Sequence, residues 1–209
     1  MKLVFMHGWS FDSGFWTPLH DALGRPEAVF VECGYTGKPV SLTLPDTPYL
    51  AITHSAGTLA CLAGRAPLCR GLVAFNGFAR FSQAEDYPQG IPLRILARMK
   101  SRLMRDPVGV VRQFRQQFDP FIPCETPHVS SLLAGLDSLI DSDARSAALE
   151  RGTEITCISG RNDPLVSPAM TEASFPHATH HACDGGHLLP LTDPAGCAAF
   201  VASKLEQAA

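Results

Sequence analysis

The stretch Ile-Thr-His-Ser-Ala-Gly, residues 52–57, decides the fold. It follows an apolar run that predicts a buried strand, and it precedes Thr58–Ala63, a run of small residues typical of a closely packed helix. A serine on a strained strand-to-helix turn is exposed for nucleophilic attack, and small flanking residues let helix and strand approach. Gly57 meets this requirement, whereas Thr53 stands where glycine is usual and would crowd the turn. Ser55 is therefore the candidate nucleophile, and a serine that merely begins a helix is the alternative.

Short apolar runs alternate with helix-like stretches along most of the chain. The predicted strands are Lys2–Met6, Ala28–Cys33, Tyr49–Thr53, Gly71–Asn76, Glu154–Ser159 and Ala178–Ala182. The predicted helices are Trp16–Leu23, Ala56–Gly64, Ala169–Ser174 and Ala195–Gln207. Continuous apolar runs are typical of central parallel strands, so this alternation predicts an α/β fold with a doubly wound parallel sheet.

Residues 79–151 interrupt the alternation. They contain no convincing strand, and prolines divide them into helical pieces. We interpret them as a helical cap inserted over a core formed by residues 1–78 and 152–209, with one structural domain overall.

The cap carries an arginine-rich face. On a helical wheel with 100° per residue, one group of arginines spans about 80°, opposite an apolar face. The group comprises Arg94, Arg98, Arg102 and Arg105, and a second helix with Asp106 as its N-cap adds Arg112 and Arg115. A solvated helix face or a surface for anionic membranes would also explain this pattern.

Three further stretches complete a constellation with Ser55. His7-Gly8-Trp9 follows the first strand, where a turn can donate a backbone N–H to a developing oxyanion; Trp9 and Ala56 are the candidate donors. Asp163 follows the fifth predicted strand, and His187 lies in a glycine loop after the last one. The order serine, acid, histidine predicts a catalytic triad.

Composition excludes several classes of function. The 209 residues are 45% hydrophobic and carry a net charge of -3, so we expect a globular chain that binds no nucleic acid. No apolar run approaches the roughly 20 residues needed to span a bilayer. Seven cysteines without a C-x-x-C pair favour free thiols and a cytoplasmic location. We expect no metal and no cofactor, because the clustered His177, His180 and His181 lack a recognised ligand spacing.

These residues resemble the α/β-hydrolase superfamily and, more narrowly, the pimeloyl-acyl-carrier-protein methyl ester esterases of biotin synthesis. The resemblance covers nearly the whole chain and is carried by His7–Ser10, His54–Gly57, Phe81–Pro88, Gly135–Leu139 and Asp143–Arg145. It implies an α/β-hydrolase fold with a minimal, mostly parallel sheet, a serine esterase activity and no cofactor.

The resemblance also implies roles for the cap. Phe114 and Phe118 would line an acyl channel, and the arginine-rich face would dock the acidic acyl-carrier protein. The chain departs from the family at Thr53 and in a shorter cap, whose arginines need not occupy the family's positions. A general short-chain esterase or thioesterase remains an alternative, as does a non-catalytic binding module.

Overall fold

The computed structural model describes residues 1–64 and 66–207. Six parallel strands form one sheet there, in the order β2-β1-β3-β4-β5-β6. Their bounds are β1 Lys2–Met6, β2 Ala28–Val31, β3 Tyr49–His54, β4 Cys69–Phe75, β5 Ile155–Gly160 and β6 Thr179–Cys183. The predicted α/β fold with a parallel sheet is confirmed, with strand ends displaced by up to two residues.

Helices cover both faces of the sheet because its central strands are apolar on both sides. The helices are α1 Thr17–Ala22, α2 Ala56–Ala63, α3 Leu93–Leu103, α4 Pro107–Arg115, α5 Val129–Asp141, α6 Arg145–Arg151, α7 Pro168–Ser174, α8 Leu189–Thr192 and α9 Pro194–Gln207. Alternate residues of β3 enter different cores: Tyr49 and Ala51 pack in one, Leu50 and Ile52 in the other. None of the described helices is long and apolar enough to cross a membrane.

Four helices, α3 to α6, lie between β4 and β5. The predicted N-cap of α4 is confirmed, since Asp106 Oδ1 accepts a hydrogen bond of 2.9 Å from the Gly109 backbone N–H. The apolar face of α3 buries Leu96 and Leu103, and this helix packs against α4 and α5. The boundaries of the cap at residues 79 and 151 stay a prediction.

The turn between β3 and α2 brings the two elements unusually close. A Cβ atom at Gly57 would lie 2.2 Å from the Met6 carbonyl oxygen and 2.8 Å from that of His7. Thr53 does not crowd this turn, contrary to the expectation from sequence. Its hydroxyl lies 2.8 Å from the Thr58 hydroxyl, so the additional side-chain atoms are packed and hydrogen-bonded.

Gly57→Ala should therefore destabilise the fold. The added methyl group cannot fit beside the β1 backbone, so α2 has to move, and we expect the free energy of unfolding to fall by about 1–3 kcal/mol. Urea unfolding followed by circular dichroism measures this difference. Gly186→Ala is the matched control, because a Cβ there would lie 3.8 Å from its nearest neighbour, Asn162 O. Equal stability of the two variants would contradict the close approach.

Candidate active site

Ser55 occupies the turn between β3 and α2. Its φ is 52°, a left-handed conformation that is strained for a residue other than glycine. The Ser55 backbone N–H donates to Phe75 O at 3.1 Å, which ties the turn to the end of β4. The residue is 5% exposed and lines an apolar cavity. This is the geometry expected of a nucleophile on a strand-to-helix turn.

Asp163 and His187 lie together above the carboxyl edge of the sheet. His187 Nδ1 is 2.7 Å from Asp163 Oδ2, and both side chains are almost fully buried. The other carboxylate oxygen, Oδ1, accepts from the Leu165 and Val166 backbone N–H groups at 2.8 and 3.0 Å. Because the carboxylate accepts from Nδ1, the ring carries its proton there and leaves Nε2 available as a base.

Asn76 is a residue of this site that sequence reasoning missed. It follows β4 with φ 49°, and its Nδ2 donates to Asp163 Oδ2 at 2.7 Å. The same amide group lies 3.4 Å from Gly186 O. A polar residue at the end of a central strand was the available signal, since that edge of the sheet collects the other site residues.

The contact between Ser55 and His187 is open in this structure. Among the described residues, no hydrogen bond joins the Ser55 hydroxyl to the imidazole of His187. Catalytic hydrogen bonds are often long or poorly aligned in the absence of substrate and tighten when it binds. The structure thus brings two members of the predicted triad into contact, and the role of all three residues stays a proposal.

Two aromatic rings enclose His187. Phe118 stacks on it with ring centroids 4.7 Å apart and an interplanar angle of 25°. Phe118 was expected to line the acyl channel; instead it lies outside the set of residues that line the cavity, because its ring packs against His187. His54 lies on another side of the imidazole, with centroids 4.7 Å apart.

The His54 ring is buried and packs against the rings of Phe15 and His187. Its Nε2 donates to the carbonyl oxygen of His187 at 2.9 Å, and this bond fixes the position of the loop that carries His187. Burial lowers the pKa of His54 well below its usual range, so the ring is neutral. Gly8 provides the space for this ring, since a Cβ at that position would lie 2.8 Å from His54 Nδ1.

The predicted oxyanion donors border the same cavity. Trp9 and Ala56 both line it. Ala56 is the first residue of α2, so its N–H has no preceding helical turn to bond with. The Trp9 indole donates to Leu132 O at 2.9 Å, which anchors this residue to α5. We call residues 7–10 the oxyanion turn.

A buried ion pair, which was not predicted, joins His7 of the oxyanion turn to Glu32. His7 Nε2 lies 3.3 Å from Glu32 Oε1. The Glu32 carboxylate also accepts from the Ser13 and Gly34 backbone N–H groups, at 2.9 Å each. Although burial opposes the charged ring, contacts with Cys33 and Glu32 raise the pKa of His7 to about 9. Although burial opposes its charge, hydrogen bonds from His7 and the backbone lower the pKa of Glu32 to about 2.

The cavity next to Ser55 has a volume of about 250 Å³ and is mostly apolar. Besides Ser55, its described lining residues with polar side-chain atoms are Trp9, whose indole is hydrogen-bonded to Leu132 O, and Gln117, whose Nε2 donates to Phe114 O at 3.0 Å. Of the aromatic residues expected to line an acyl channel, Phe114 does so, and it packs edge-on against Trp9 at 4.9 Å. Such a cavity suits a short acyl chain.

The structure separates the six predicted docking arginines into two groups. Arg94, Arg98, Arg105 and Arg112 are exposed and Arg102 is half-buried. Arg98 and Arg102 line a groove of about 530 Å³ between α3 and α4, which shares Phe114 and Gln117 with the cavity next to Ser55. Arg115 was wrongly placed with them: it is only 3% exposed, because its side chain points inward.

Among residues 1–64 and 66–207, no cluster of three histidine, cysteine, aspartate or glutamate side chains is arranged to hold a metal ion. Two members of the histidine cluster at residues 177–181 make other contacts: His180 Nε2 donates to Phe175 O at 2.7 Å, and the His181 and Phe200 ring centroids are 4.8 Å apart.

The structure is similar to solved structures of other proteins over almost its whole length. An esterase from Exiguobacterium antarcticum superposes with a TM-score of 0.82 at 15% identity, covering 99% of this chain and 92% of that one. The chain has the α/β-hydrolase fold. A bromoperoxidase from Bacillus anthracis matches with a TM-score of 0.80 at 15% identity, covering 98% of this chain and 91% of that one. This fold alone therefore does not specify the reaction.

Sequence similarity confirms the narrower resemblance. A pimeloyl-acyl-carrier-protein methyl ester esterase from Xylella fastidiosa strain M23 is 26% identical over 204 residues, which cover 82% of this chain and 80% of that protein. No protein-family model matches the chain.

The buried pair of His7 and Glu32 should give the stability of this chain a measurable pH dependence. The raised pKa of His7 stabilises the folded state below pH 6.5, and this contribution is lost as pH rises towards 9. The lowered pKa of Glu32 stabilises it above pH 4.5, and that contribution is lost as pH falls towards 2. Glu32→Gln should therefore flatten the decline in unfolding free energy between pH 6.5 and 9.

Urea unfolding at a series of pH values measures this effect. Glu27→Gln is the control, because Glu27 pairs with Lys2 on the surface, where its side chain is 79% exposed. An unchanged alkaline slope in Glu32→Gln would show that His7 does not hold its proton through Glu32.

Proposed function

We propose that the chain is a serine carboxylesterase in which Ser55 is the nucleophile, His187 the general base and Asp163 the residue that orients the imidazole. The observation that carries the proposal is the 2.7 Å hydrogen bond between His187 and Asp163. Ser55 is held on a strained turn and lines an apolar cavity together with Pro164 and Leu165, the two residues that follow Asp163.

Carboxylic ester hydrolysis is the activity class of this chain. The curated relatives are named as esterases of this class, and the α/β-hydrolase fold is compatible with the activity. The serine mechanism and the substrate are finer statements, and they are proposed from the geometry of the site.

In the proposed mechanism, the Ser55 oxygen attacks the ester carbonyl while its proton passes to His187 Nε2. Asp163 keeps the ring in the required tautomer and stabilises the imidazolium that forms. The Trp9 and Ala56 N–H groups stabilise the negatively charged carbonyl oxygen by hydrogen bonds, and each such donor typically contributes about 100- to 1000-fold in rate. The tetrahedral intermediate collapses, and His187 gives its proton to the departing alcohol. Water then cleaves the acyl-enzyme by the same sequence.

Ser55→Ala should abolish ester hydrolysis without altering the fold. Removal of the nucleophile leaves binding and oxyanion stabilisation only, so we expect kcat to fall by about 10⁴-fold or more. Hydrolysis of a p-nitrophenyl ester measures the activity, and circular dichroism measures the fold. Ser203→Ala, an exposed serine of α9, is the matched control.

Two outcomes would contradict this assignment. Full activity in Ser55→Ala would exclude the serine as nucleophile. Failure of a fluorophosphonate probe to label Ser55 in the unaltered chain would favour a non-catalytic binding module.

The proposed substrate is the methyl ester of a pimeloyl group carried by acyl-carrier protein. Three observations support it: the activity named for the relatives, the acyl-sized cavity and the basic surface beside it. The cavity is below the roughly 300–1,000 Å³ of sites for drug-sized ligands, which suits a single short chain.

The basic surface is open to an acidic partner. Within the described part of the chain, none of the five predicted docking arginines that are accessible forms an ion pair; they are Arg94, Arg98, Arg102, Arg105 and Arg112. Arg102 instead donates to Gln113 Oε1 at 2.7 Å. Charges that are not already paired are available to steer an acidic protein. Two of them, Arg98 and Arg102, line the groove that adjoins the acyl cavity.

Reversal of charge in this groove should affect only the carrier-bound substrate. In the double variant Arg98→Glu with Arg102→Glu, we expect kcat/KM for the carrier-linked ester to fall by about tenfold or more, because like charges now repel the partner. The value for a small p-nitrophenyl ester should stay the same. In the unaltered chain, added salt should weaken turnover of the carrier-linked ester alone.

Arg70→Glu controls for charge reversal at a single arginine outside the cap, since Arg70 is exposed on β4. Equal kcat/KM for the carrier-linked ester in the cap variant and the control would favour a general short-chain esterase or thioesterase.

A further inference from the structure

Arg115 ends α4 with a guanidinium group that faces the interior of the molecule. Its hydrogen bonds all go to neutral acceptors. Nε is 3.3 Å from the Ser10 hydroxyl, Nη2 donates to the Ser10 carbonyl oxygen, and Nη1 donates to the carbonyl oxygens of Ile122 and Pro123, at 3.1 and 2.7 Å. The guanidinium also lies over the Phe11 ring, 4.6 Å from its centroid.

This arrangement joins two segments that are distant in sequence. Burial of a charged group without a carboxylate partner is costly, so several hydrogen bonds are needed to offset it. The planar guanidinium presents donors from three nitrogens in a rigid fork, whereas an ammonium group presents all its donors from one nitrogen and an apolar side chain has none. Arg115 therefore holds the oxyanion turn against the cap segment at residues 122–123.

The oxyanion turn needs such support because Ser10 is strained. Its φ is 69°, in the left-handed region that favours glycine, and it is fully buried. The Trp9 N–H belongs to the peptide that joins Gly8 to Trp9, so the backbone conformation of the turn through Ser10 affects where this N–H points. The cap holds Trp9 itself through a separate contact, from the indole to Leu132 O.

We propose that Arg115 is a positioning residue for ester hydrolysis: by holding the Ser10 peptide in its strained conformation, it aims the Trp9 N–H at the oxyanion. This inference rests on the proposed serine mechanism, in which Trp9 is an oxyanion donor. Arg115 touches neither the substrate nor the reacting atoms, and it acts through the backbone of the turn.

The test uses Arg115→Met and Arg115→Lys in the full chain. Methionine retains much of the side-chain volume but makes none of the hydrogen bonds. Lysine retains the charge without the planar fork. If Arg115→Met fails to fold, the kcat of Arg115→Lys tests the proposal. We expect kcat per labelled serine to fall by about 10- to 100-fold in both variants, because a displaced donor loses much of its effect. KM for a small soluble ester should change by about twofold at most.

A second measurement separates positioning from a general structural role. An alkyl boronic acid forms a tetrahedral adduct on a nucleophilic serine, with an oxygen in the oxyanion position. Its dissociation constant should rise by about the same factor as kcat falls, since both depend on the same donor. Fluorophosphonate labelling carried to completion gives the fraction of competent sites, so that misfolded protein does not lower kcat artificially.

Arg70→Met serves as the matched control for loss of an arginine. The inference is overturned if both Arg115 variants keep the unaltered kcat and boronic acid affinity per labelled site. It is also overturned if only KM or the labelled fraction changes, or if Arg70→Met shows the same loss. Full hydrolysis by Ser55→Ala would instead overturn the serine mechanism itself, so the two failures can be told apart.

Discussion

The buried carboxylate of Asp163 is the group on which the geometry of the site depends. A desolvated carboxylate is costly unless donors surround it. Its four hydrogen bonds come from Asn76, from His187 and from the backbone N–H groups of Leu165 and Val166. These donors belong to the loops that follow three neighbouring strands, β4, β5 and β6. A single acid thus fixes those loops relative to one another, and the histidine is held in place before any substrate arrives.

Local patterns in the sequence predicted the parts of the molecule that depend on neighbouring residues. The continuous apolar strands, the small residues after Ser55 and the Asp106 cap each have a signal within one element, and the structure contains all of them. The parallel sheet was confirmed because its strands are continuous apolar runs. The resemblance to the esterases was confirmed because its motifs are short stretches of sequence. The positions of Asp163 and His187 at strand ends place them at one sheet edge, although no local pattern gives the distance between them.

Contacts between distant segments were not predictable in this way. Glu32 was assigned only to a strand, because nothing near it in sequence shows that it meets His7. Arg115 was grouped by charge with the exposed arginines, since a helical wheel does not show which face packs inward. A signal was nevertheless available: Val111 and Arg115 are four residues apart on α4 and so share one face, and both are buried.

The hydroxyl pair formed by Thr53 and Thr58 has a consequence for recognising other chains of this type. The turn requires that any side chain two positions before the serine be accommodated. Glycine meets this requirement because it has no side chain, and Thr53 meets it because its hydroxyl is hydrogen-bonded to that of Thr58. A search pattern that insists on glycine two positions before the serine would overlook such sequences. A pattern that accepts threonine there, when a second one stands three positions after the serine, would retrieve them.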